Sequence, residues 1–136
     1  MLVSSLSGKV ASVGSSLYSA TKFGLRGFAT ALHDELRDEG VGVTTVFPGF
    51  ISDAGMWADT GLDLRKGVGT RTPEQVAAAV ISGIDKNRSE IDVAPLQLRA
   101  GAWAAGVSQS AVQRIQRAAG SQEMARRMAE AQRPKR

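Results

Sequence analysis

The chain has 136 residues, of which 43% are apolar and 22% charged, a composition typical of a soluble globular domain with a hydrophobic core. It contains no cysteine and one histidine, which excludes disulfides, thiolate metal sites, cysteine nucleophiles and histidine-rich metal centres. No stretch approaches the roughly 18 apolar residues of a membrane span, and the first residues do not form a signal peptide. The sequence therefore predicts no membrane span, no metal and a cytoplasmic location.

The formal charge of +4 is unevenly distributed along the chain. Residues 1–95 carry 9 basic and 11 acidic groups, whereas residues 96–136 carry 8 basic and 2 acidic groups, a net of +6. The high isoelectric point therefore belongs to the C-terminal segment. Because Trp103 is its one aromatic residue, this basic segment gives little support to nucleic-acid binding.

The first part of the chain is predicted to form a strand end, a loop and a long helix. Met1-Leu2-Val3 indicates the end of a buried parallel strand, and a loop rich in Ser and Gly follows it. Apolar residues then recur at three- and four-residue steps, which predicts a helix from Ser16 to Glu39 with Gly40 as its C-cap. His33 is expected to face solvent. The predicted apolar face consists of Leu17, Thr21, Leu25, Phe28, Ala29, Leu32 and Leu36.

A second strand and a long loop follow. Residues 41–47 are dense in β-branched side chains and end at Pro48-Gly49, which predicts a strand. Residues 50–71 show no sustained period, although they include several large apolar side chains. Two interpretations stay open for this loop, a flap that covers a substrate or a poorly ordered connector.

The remaining elements alternate between helix and strand. Thr72 and Gln75 have the spacing of a capping box, with proline in the first turn, so a helix is predicted to begin there. Residues 90–94 alternate and predict a strand with one polar face. Residues 96–105 are apolar but poorly patterned, and 109–131 carry a thin apolar stripe that predicts a helix. The expected buried stripe of the first of these helices is Val76, Ala79, Val80, Gly83 and Ile84.

Two residues of the first helix point to proton-transfer chemistry. Tyr18 and Lys22 lie four residues apart, so their side chains leave the same face of the helix. A phenol normally keeps its proton up to about pH 10, and a nearby ammonium favours the phenolate, which suits the phenol to acid/base work. Ser5 follows the first predicted strand, where open α/β sheets bind ligands. Its hydroxyl could complete a proton-sharing triad.

This combination resembles the catalytic half of the short-chain dehydrogenase/reductase family. The resemblance rests on Ser5, on Tyr18-Ser19-Ala20-Thr21-Lys22 thirteen residues later, and on a strand ending in Pro48-Gly49. It implies an α/β fold with part of a Rossmann-like, doubly wound parallel sheet: a stub of strand 5, strands 6 and 7, flanking helices and a C-terminal helix. Residues 1–95 would form the C-terminal half of the family domain, and 96–136 a basic helical extension.

The resemblance also implies roles for individual residues. Tyr18 would be the general acid/base, Lys22 would promote its ionisation and bind the nicotinamide ribose, and Ser5 would orient the substrate oxygen. Cofactor contacts would come from Tyr18, Lys22, Pro48, Gly49 and Ile51. The implied cofactor is NAD or NADP, and the implied substrate is a small carbonyl or alcohol compound.

The sequence departs from the family pattern in two respects. Asp53, with Ser52 before it, stands where the family usually has a threonine, which puts one cofactor contact in doubt. A glycine-rich dinucleotide fingerprint is absent from the sequence, so we expect a truncated chain whose activity depends on a preceding segment. We also expect self-association through an apolar sheet edge.

Two classes of function therefore stay open. The first is an NAD(P)-dependent carbonyl/alcohol oxidoreductase segment. The second is an inactive remnant or an interaction module that uses the helix from Ser16 and the basic tail as its surfaces.

Overall fold

The computed structural model of the chain describes residues 1–64 and 68–118, together with residues 123, 126, 127 and 130. Within this part of the chain, one parallel sheet is flanked by helices, and its strands are β1 (Leu2–Val3), β2 (Thr45–Pro48) and β3 (Glu90–Val93). The helices are α1 (Ser16–Glu35), α2 (Gly55–Ala58), α3 (Pro73–Asp85), α4 (Leu96–Val107) and α5 (Gln109–Ala118). Two short 3-10 turns cover Leu6–Gly8 and Arg37–Glu39.

The sheet has the order β1-β2-β3, so the three strands are neighbours in the order in which they occur. This confirms the predicted α/β class with contiguous parallel strands. Val3 pairs with Val46, and Pro48 pairs with Val93. Since all strands run in one direction, the residues that follow each strand meet at the same edge of the sheet.

The two faces of the sheet are covered by different helices, because side chains alternate along each strand. Val46 and Phe47 are both fully buried, one on each face. Gly83 of α3 approaches Thr44 and Ile91 so closely that an added Cβ would lie 2.7 and 3.1 Å from their side chains. Helix α1 covers the opposite face, on which Phe47 lies.

Helix α1 packs on the sheet through a face that only partly coincides with the predicted one. Leu17 and Phe28 of the predicted apolar face are exposed by 75% and 58%, whereas Ala29 is buried. The predicted Leu25, Leu32 and Leu36 are half-buried. The inner face also includes Lys22, Arg26 and His33, and its centre lies about a quarter of a turn from that of the predicted face. Each of these polar side chains has an acceptor on the sheet side of the helix, namely Val3 O, Glu90 and Val43 O respectively.

His33 therefore does not simply face solvent, as the sequence had indicated. Its Nδ1 lies 2.7 Å from the carbonyl oxygen of Val43, and the residue is half-buried. The prediction was wrong because the hydrogen-bonding needs of the sheet, which periodicity does not report, decide which side of α1 turns inward. A similar correction applies to Ile84 of α3, which is 65% exposed although the sequence predicted it to be buried.

The predicted boundaries also need correction. The first helix was expected to reach Glu39, but α1 ends at Glu35 and a separate 3-10 turn follows before Gly40, whose φ is 73°. The strand predicted over 41–47 begins only at Thr45, because the neighbouring strands pair with it only from that residue onward.

The loop over 50–71 is anchored at both ends. A parallel bridge joins Ile51 to Arg71, with Arg71 N donating to Phe50 O at 2.9 Å and Ser52 N donating to Arg71 O at 2.9 Å. The rings of Phe50 and Trp57 meet edge-on with centroids 4.8 Å apart. These contacts order the described part of the loop through its own residues, as a flap would require. That the loop covers a substrate stays a prediction.

The later helices begin largely as the sequence suggested. The capping box of α3 is confirmed, because Thr72 Oγ1 accepts from Gln75 N at 3.3 Å and Gln75 Oε1 accepts from Thr72 N at 3.0 Å. The poorly patterned segment after Pro95 forms α4. The helix predicted over 109–131 is observed as α5, and its predicted continuation lies largely outside the described residues. None of the helices that the structure describes is long and apolar enough to cross a bilayer.

Candidate active site

The carboxyl end of β1 carries the candidate serines. Ser4 N donates to Val46 O at 2.8 Å, so the backbone is still held by β2 at this point. Ser5 then caps the turn Leu6–Gly8, with its Oγ accepting from Ser7 N at 3.1 Å. A hydroxyl that accepts from the backbone can still donate its own proton, so Ser5 can offer a hydrogen bond to a substrate oxygen.

The neighbouring Ser4 has a structural role. It is 5% exposed, and its Oγ donates to the carbonyl oxygen of Lys22 at 3.2 Å. This bond ties the end of β1 to the middle of α1. Of the two serines, Ser5 is therefore the better placed for contact with a ligand, because it is half-buried, whereas Ser4 is buried and its hydroxyl donates to Lys22 O.

Tyr18 and Lys22 are brought together as their spacing predicted. The Lys22 Nζ lies 5.5 Å from the centroid of the Tyr18 ring, within the range of a cation–π contact. The same ammonium donates to Val3 O at 3.4 Å, immediately before the two serines. Helix α1 thus places the phenol and the ammonium beside the end of β1, and both residues are half-buried.

Gly8 permits this close approach between the serine turn and α1. A Cβ built on Gly8 would lie 2.7 Å from Lys22 O and 2.9 Å from Ser4 Oγ, distances that real Cβ atoms do not adopt. From the sequence, this glycine was expected only to be part of the loop rich in Ser and Gly. Its position indicates that it sets the separation between Ser5 and the residues on α1.

We expect Gly8→Ala to lower the free energy of unfolding by about 1–3 kcal/mol, because the turn and α1 must move apart to accommodate the methyl group. The matched control is Gly24→Ala on α1, where an added Cβ meets no heavy atom within 4 Å. That change should raise stability by about 0.5–1 kcal/mol, the usual gain for replacing glycine within a helix. Urea unfolding measures both, and equal stabilities for the two variants would contradict the close-approach role.

The second candidate region follows β2, next to the serine turn. Gly49 N donates to Val93 O at 3.0 Å, and an added Cβ would lie 2.9 Å from the Ala94 Cβ and 3.4 Å from Leu6 Cδ1. Glycine at this position therefore lets the Pro48-Gly49 turn pack directly against both neighbouring segments.

Ile51, Ser52 and Asp53 continue from this turn. The bridge to Arg71 uses Phe50 O and Ser52 N, which leaves the N–H and C=O of Ile51 outside that bridge. Ser52 Oγ donates to Arg71 O at 3.4 Å, while Asp53 is exposed with a φ of 63°. The hydroxyl of Ser52, which precedes the residue that stands where the family usually has a threonine, is thus engaged within the loop.

A buried ion cluster beneath the site escaped the sequence analysis. Lys9 Nζ lies 2.6 Å from Asp92 Oδ1, 2.8 Å from Glu90 Oε2 and 4.2 Å from the centroid of the Phe47 ring. Arg26 adds a bidentate pair to Glu90 at 2.7 and 3.2 Å. The alternation in β3 had indicated a polar face, but its partners lie more than 60 residues away in sequence, so spacing alone could not reveal them.

The cluster controls the ionisation of one carboxylate. Partial burial raises the pKa of Glu90, but hydrogen bonds from Arg26 and Lys9 and their positive charges outweigh burial and hold the pKa below its ordinary value of 4.5. A carboxyl group with a lowered pKa stabilises the fold in its ionised form.

This lowered pKa predicts a specific acid dependence. The stability that Glu90 contributes is fully present above its ordinary pKa of 4.5 and is lost as the pH falls through the lower folded value. We therefore expect the free energy of unfolding of Glu90→Gln to fall less steeply than that of the parent between about pH 5 and pH 3. Urea unfolding at several pH values in this window provides the measurement, and parallel curves would count against the ionised cluster.

In the described part of the chain, no group of three or more His, Asp or Glu side chains is arranged to hold a metal ion. The chemistry that the site offers comes instead from a phenol, a hydroxyl and an ammonium at one end of a parallel sheet, beside the turn after β2.

The sequence of the chain is similar to that of known proteins of one family. Residues 1–64 match the family model of the short chain dehydrogenases. The ketoacyl reductase HetN of Nostoc sp. is 38% identical over 91 residues, which cover 67% of this chain and 32% of that protein. The acetoacetyl-CoA reductase of Allochromatium vinosum is 34% identical over 84 residues, 57% of this chain and 34% of that protein.

A solved structure extends the likeness to the fold. A chain from Novosphingobium aromaticivorans, assigned to the short-chain dehydrogenases, superposes with a TM-score of 0.58 at 23% identity. The match covers 94% of this chain and 47% of that one. The present chain spans about a third of the length of the curated relatives named above. On the family model, the curated relatives and the shared fold, the chain belongs to the short-chain dehydrogenase/reductase family.

Proposed function

We propose that this chain carries the proton-transfer part of an oxidoreductase that interconverts carbonyl and alcohol groups. The observation that carries the proposal is the pairing of Tyr18 with Lys22 at the carboxyl end of a parallel sheet, with the Lys22 Nζ 5.5 Å from the phenol ring centroid. Ser5 follows the adjacent strand end, with a hydroxyl that accepts from Ser7 N and can still donate outward.

Each of these side chains has a distinct task in the proposed reaction. In the reducing direction, Tyr18 donates its phenolic proton to the substrate oxygen, which becomes a hydroxyl group as the carbonyl carbon gains a hydride. The positive charge of Lys22 stabilises the phenolate that remains. Ser5 donates a hydrogen bond to the same oxygen and fixes its position, and in the oxidising direction the phenolate takes the proton back.

The residues present fit a nicotinamide cofactor, NAD or NADP, which when bound would supply or accept the hydride. The Lys22 ammonium has three donors, and the structure gives Nζ a long bond of 3.4 Å to Val3 O, so it retains capacity for ribose hydroxyls. Tyr18 would share this contact with the ribose. Pro48, Gly49 and the backbone of Ile51, whose N–H and C=O are not used by the bridge to Arg71, would line the nicotinamide end.

The relatives suggest which carbonyl compounds to test first. Two of them are named for the reduction of ketoacyl compounds, a ketoacyl group in Nostoc and acetoacetyl-CoA in Allochromatium. We propose ketoacyl thioesters as the first substrate class for this chain, with simple ketones and secondary alcohols as comparison compounds.

The test uses both the 136-residue chain and a chimera in which its residues 1–95 replace their counterpart in the Nostoc reductase. Each is assayed for oxidation of NADH and NADPH in the presence of ketoacyl thioesters. We expect the chimera to turn over substrate. A folded chimera that binds cofactor but stays inactive with every carbonyl compound would overturn the proposal.

The exposed face of α1 favours a second function, in which this helix binds another protein chain. Leu17 and Phe28 flank the small residues Ala20 and Gly24 on this face, and Leu17 and Phe28 are exposed by 75% and 58%. Small residues allow a second helix to approach closely, and large apolar neighbours supply burial. We propose that a second copy of this chain packs there, whereas the sequence had suggested self-association through the sheet edge.

Phe28→Gln should weaken this association by at least tenfold, because full burial of an aromatic side chain contributes about 1.5–3 kcal/mol. Ile81→Gln serves as control, since Ile81 is 61% exposed on a different helix. Sedimentation over a range of concentrations measures the dimer constant. A dimer that responds to Ile81→Gln as strongly as to Phe28→Gln would contradict the assignment to α1.

A further inference from the structure

Helix α4 turns a continuous apolar stripe towards solvent. Leu96, Trp103 and Val107 are exposed by 74%, 77% and 76%. Their spacings of seven and four residues place them on one face of the helix, about 16 Å long from end to end. The opposite face is held in the protein by Ala102 and Ala105, each 2% exposed, so the orientation of the stripe is fixed by the fold.

Helix α5 follows α4 and packs against it. Its first residue is tied to the body of the protein, because Gln109 Nε2 donates to Lys9 O at 2.8 Å. Beyond this anchor the helix exposes Ile115 by 67%, together with Arg114 and Arg117. The helix is therefore amphipathic, with apolar and basic side chains that both reach solvent.

The charges of this region have a single sign. Between residues 96 and 118 the charged side chains are Arg99, Arg114 and Arg117, and all three are basic. Within the part of the chain that the structure describes, none of the three has an acidic partner within 4 Å. A partner for this surface must therefore accept apolar side chains and supply negative charge.

We propose that the outer face of α4 and α5, defined by Leu96, Trp103, Val107 and Ile115 with the three arginines, binds the surface of an anionic lipid bilayer. Amphipathic helices with a basic polar face and Trp or Leu on the apolar face lie in the interface of a membrane in this way. The apolar side chains enter the acyl boundary, and the arginines reach the headgroups. The inference is independent of the proposed oxidoreductase function.

The charges of this surface favour a bilayer over a second copy of the chain. Because its charged residues Arg99, Arg114 and Arg117 are all basic, two copies that met through this surface would bring like charges together. An anionic bilayer supplies the opposite charge, and each inserted side chain and each arginine contributes to binding separately.

The experiment measures binding of the 136-residue chain to vesicles by co-sedimentation. One set of vesicles contains phosphatidylcholine alone, and the other contains equal parts of phosphatidylcholine and phosphatidylserine. We expect binding to the anionic set, with weakening when the ionic strength is raised to about 1 M, where the Debye length falls to about 3 Å. Intrinsic fluorescence should shift to shorter wavelength on binding and should lose that shift in Trp103→Gln.

Variants of the arginines and of the apolar residues separate the electrostatic from the hydrophobic contribution to vesicle binding. Arg114→Gln with Arg117→Gln should weaken binding to anionic vesicles by roughly 25-fold, at about fivefold per arginine near the surface. Trp103→Gln should weaken it by at least tenfold, and Leu96→Gln provides a second apolar variant if Trp103→Gln does not fold. Ile81→Gln, on α3, removes a comparable exposed side chain elsewhere and should bind like the parent.

Three outcomes would overturn the proposal. The first is equal binding to both vesicle sets or to neither. The second is an unchanged affinity in the double arginine variant. The third is self-association of the chain that Trp103→Gln abolishes without any vesicle binding, which would assign this face to a second copy of the chain.

Discussion

Tyr18→Phe is expected to keep the fold and lose turnover by about 10²–10⁴-fold, the usual contribution of a general acid/base group. The phenylalanine retains the ring that faces the Lys22 ammonium at 5.5 Å, so the packing of α1 against the end of β1 should persist. Only the proton that the substrate oxygen must receive is removed. The change is therefore expected in the chemical step and not in stability.

Tyr18→Phe is made in the chimera with the Nostoc reductase, and kcat, KM and the free energy of unfolding are measured for this variant and for the parent chimera. A fall in kcat with an unchanged unfolding curve is the expected pattern. The matched control is Thr21→Val on the same helix turn, because Thr21 Oγ1 bonds only the local carbonyl of Tyr18 at 2.7 Å and is exposed. Turnover of Tyr18→Phe within a few-fold of the parent would remove the phenol from the mechanism.

Lys22 can be tested in the same chimera, and here we expect both kcat and the KM for the cofactor to change. Lys22→Met keeps most of the aliphatic stem but removes the ammonium that contacts both Val3 O and the Tyr18 ring. If the ammonium also binds the cofactor ribose, KM for the cofactor should rise together with the fall in kcat. The contrast with Tyr18→Phe distinguishes the two roles that the family resemblance implies.

The sequence predicted the proximity of Tyr18 and Lys22 because it depends on a local signal, the helix periodicity. The order of the three strands was implied by the family resemblance, and the structure confirms it. The position of Ser5 after a strand follows from the end of an apolar run. Similarly, the capping box joins Thr72 and Gln75, which are only three residues apart, so it could be predicted from their spacing.

The sequence failed where distant segments decide the structure. Periodicity placed Leu17 and Phe28 on the packed face of α1, but the sheet instead receives polar side chains such as Arg26, whose partner Glu90 lies 64 residues away. The close approach of Gly8 to Lys22 likewise depends on a packing distance that composition does not encode. The α4 stripe escaped prediction because its small inward residues gave no clear apolar period.

These failures share a physical cause. A helix is expected to bury its most apolar face only if that face meets the largest apolar surface, and β3 offers carboxylates on the face beneath α1. The cost of burying Glu90 and Asp92 is offset by Lys9 and Arg26, so polar side chains of the helix share the inner face with the buried Ala29. Leu17 and Phe28 remain outside, where they can serve association.

The stability of this arrangement depends most on Lys9. Its side chain is 10% exposed and lies between two carboxylates that are 26% and 20% exposed. Lys9→Met should lower the free energy of unfolding by about 3 kcal/mol, at the low end of the 3–5 kcal/mol expected for breaking a buried ion pair, because the carboxylates keep some access to water. The methionine fills a similar volume, so the loss is mainly electrostatic.

A double-mutant cycle with Asp92→Asn isolates this interaction. In the Asp92→Asn background the carboxylate nearest to Lys9, at 2.6 Å, is already neutral, and Arg26 still pairs with Glu90. Lys9→Met should therefore cost at least about 1 kcal/mol less there than in the parent. Urea unfolding of the four proteins gives the coupling energy. Strictly additive losses would mean that Lys9 stabilises the fold through its contacts with Glu90 and Phe47, and not through its pair with Asp92.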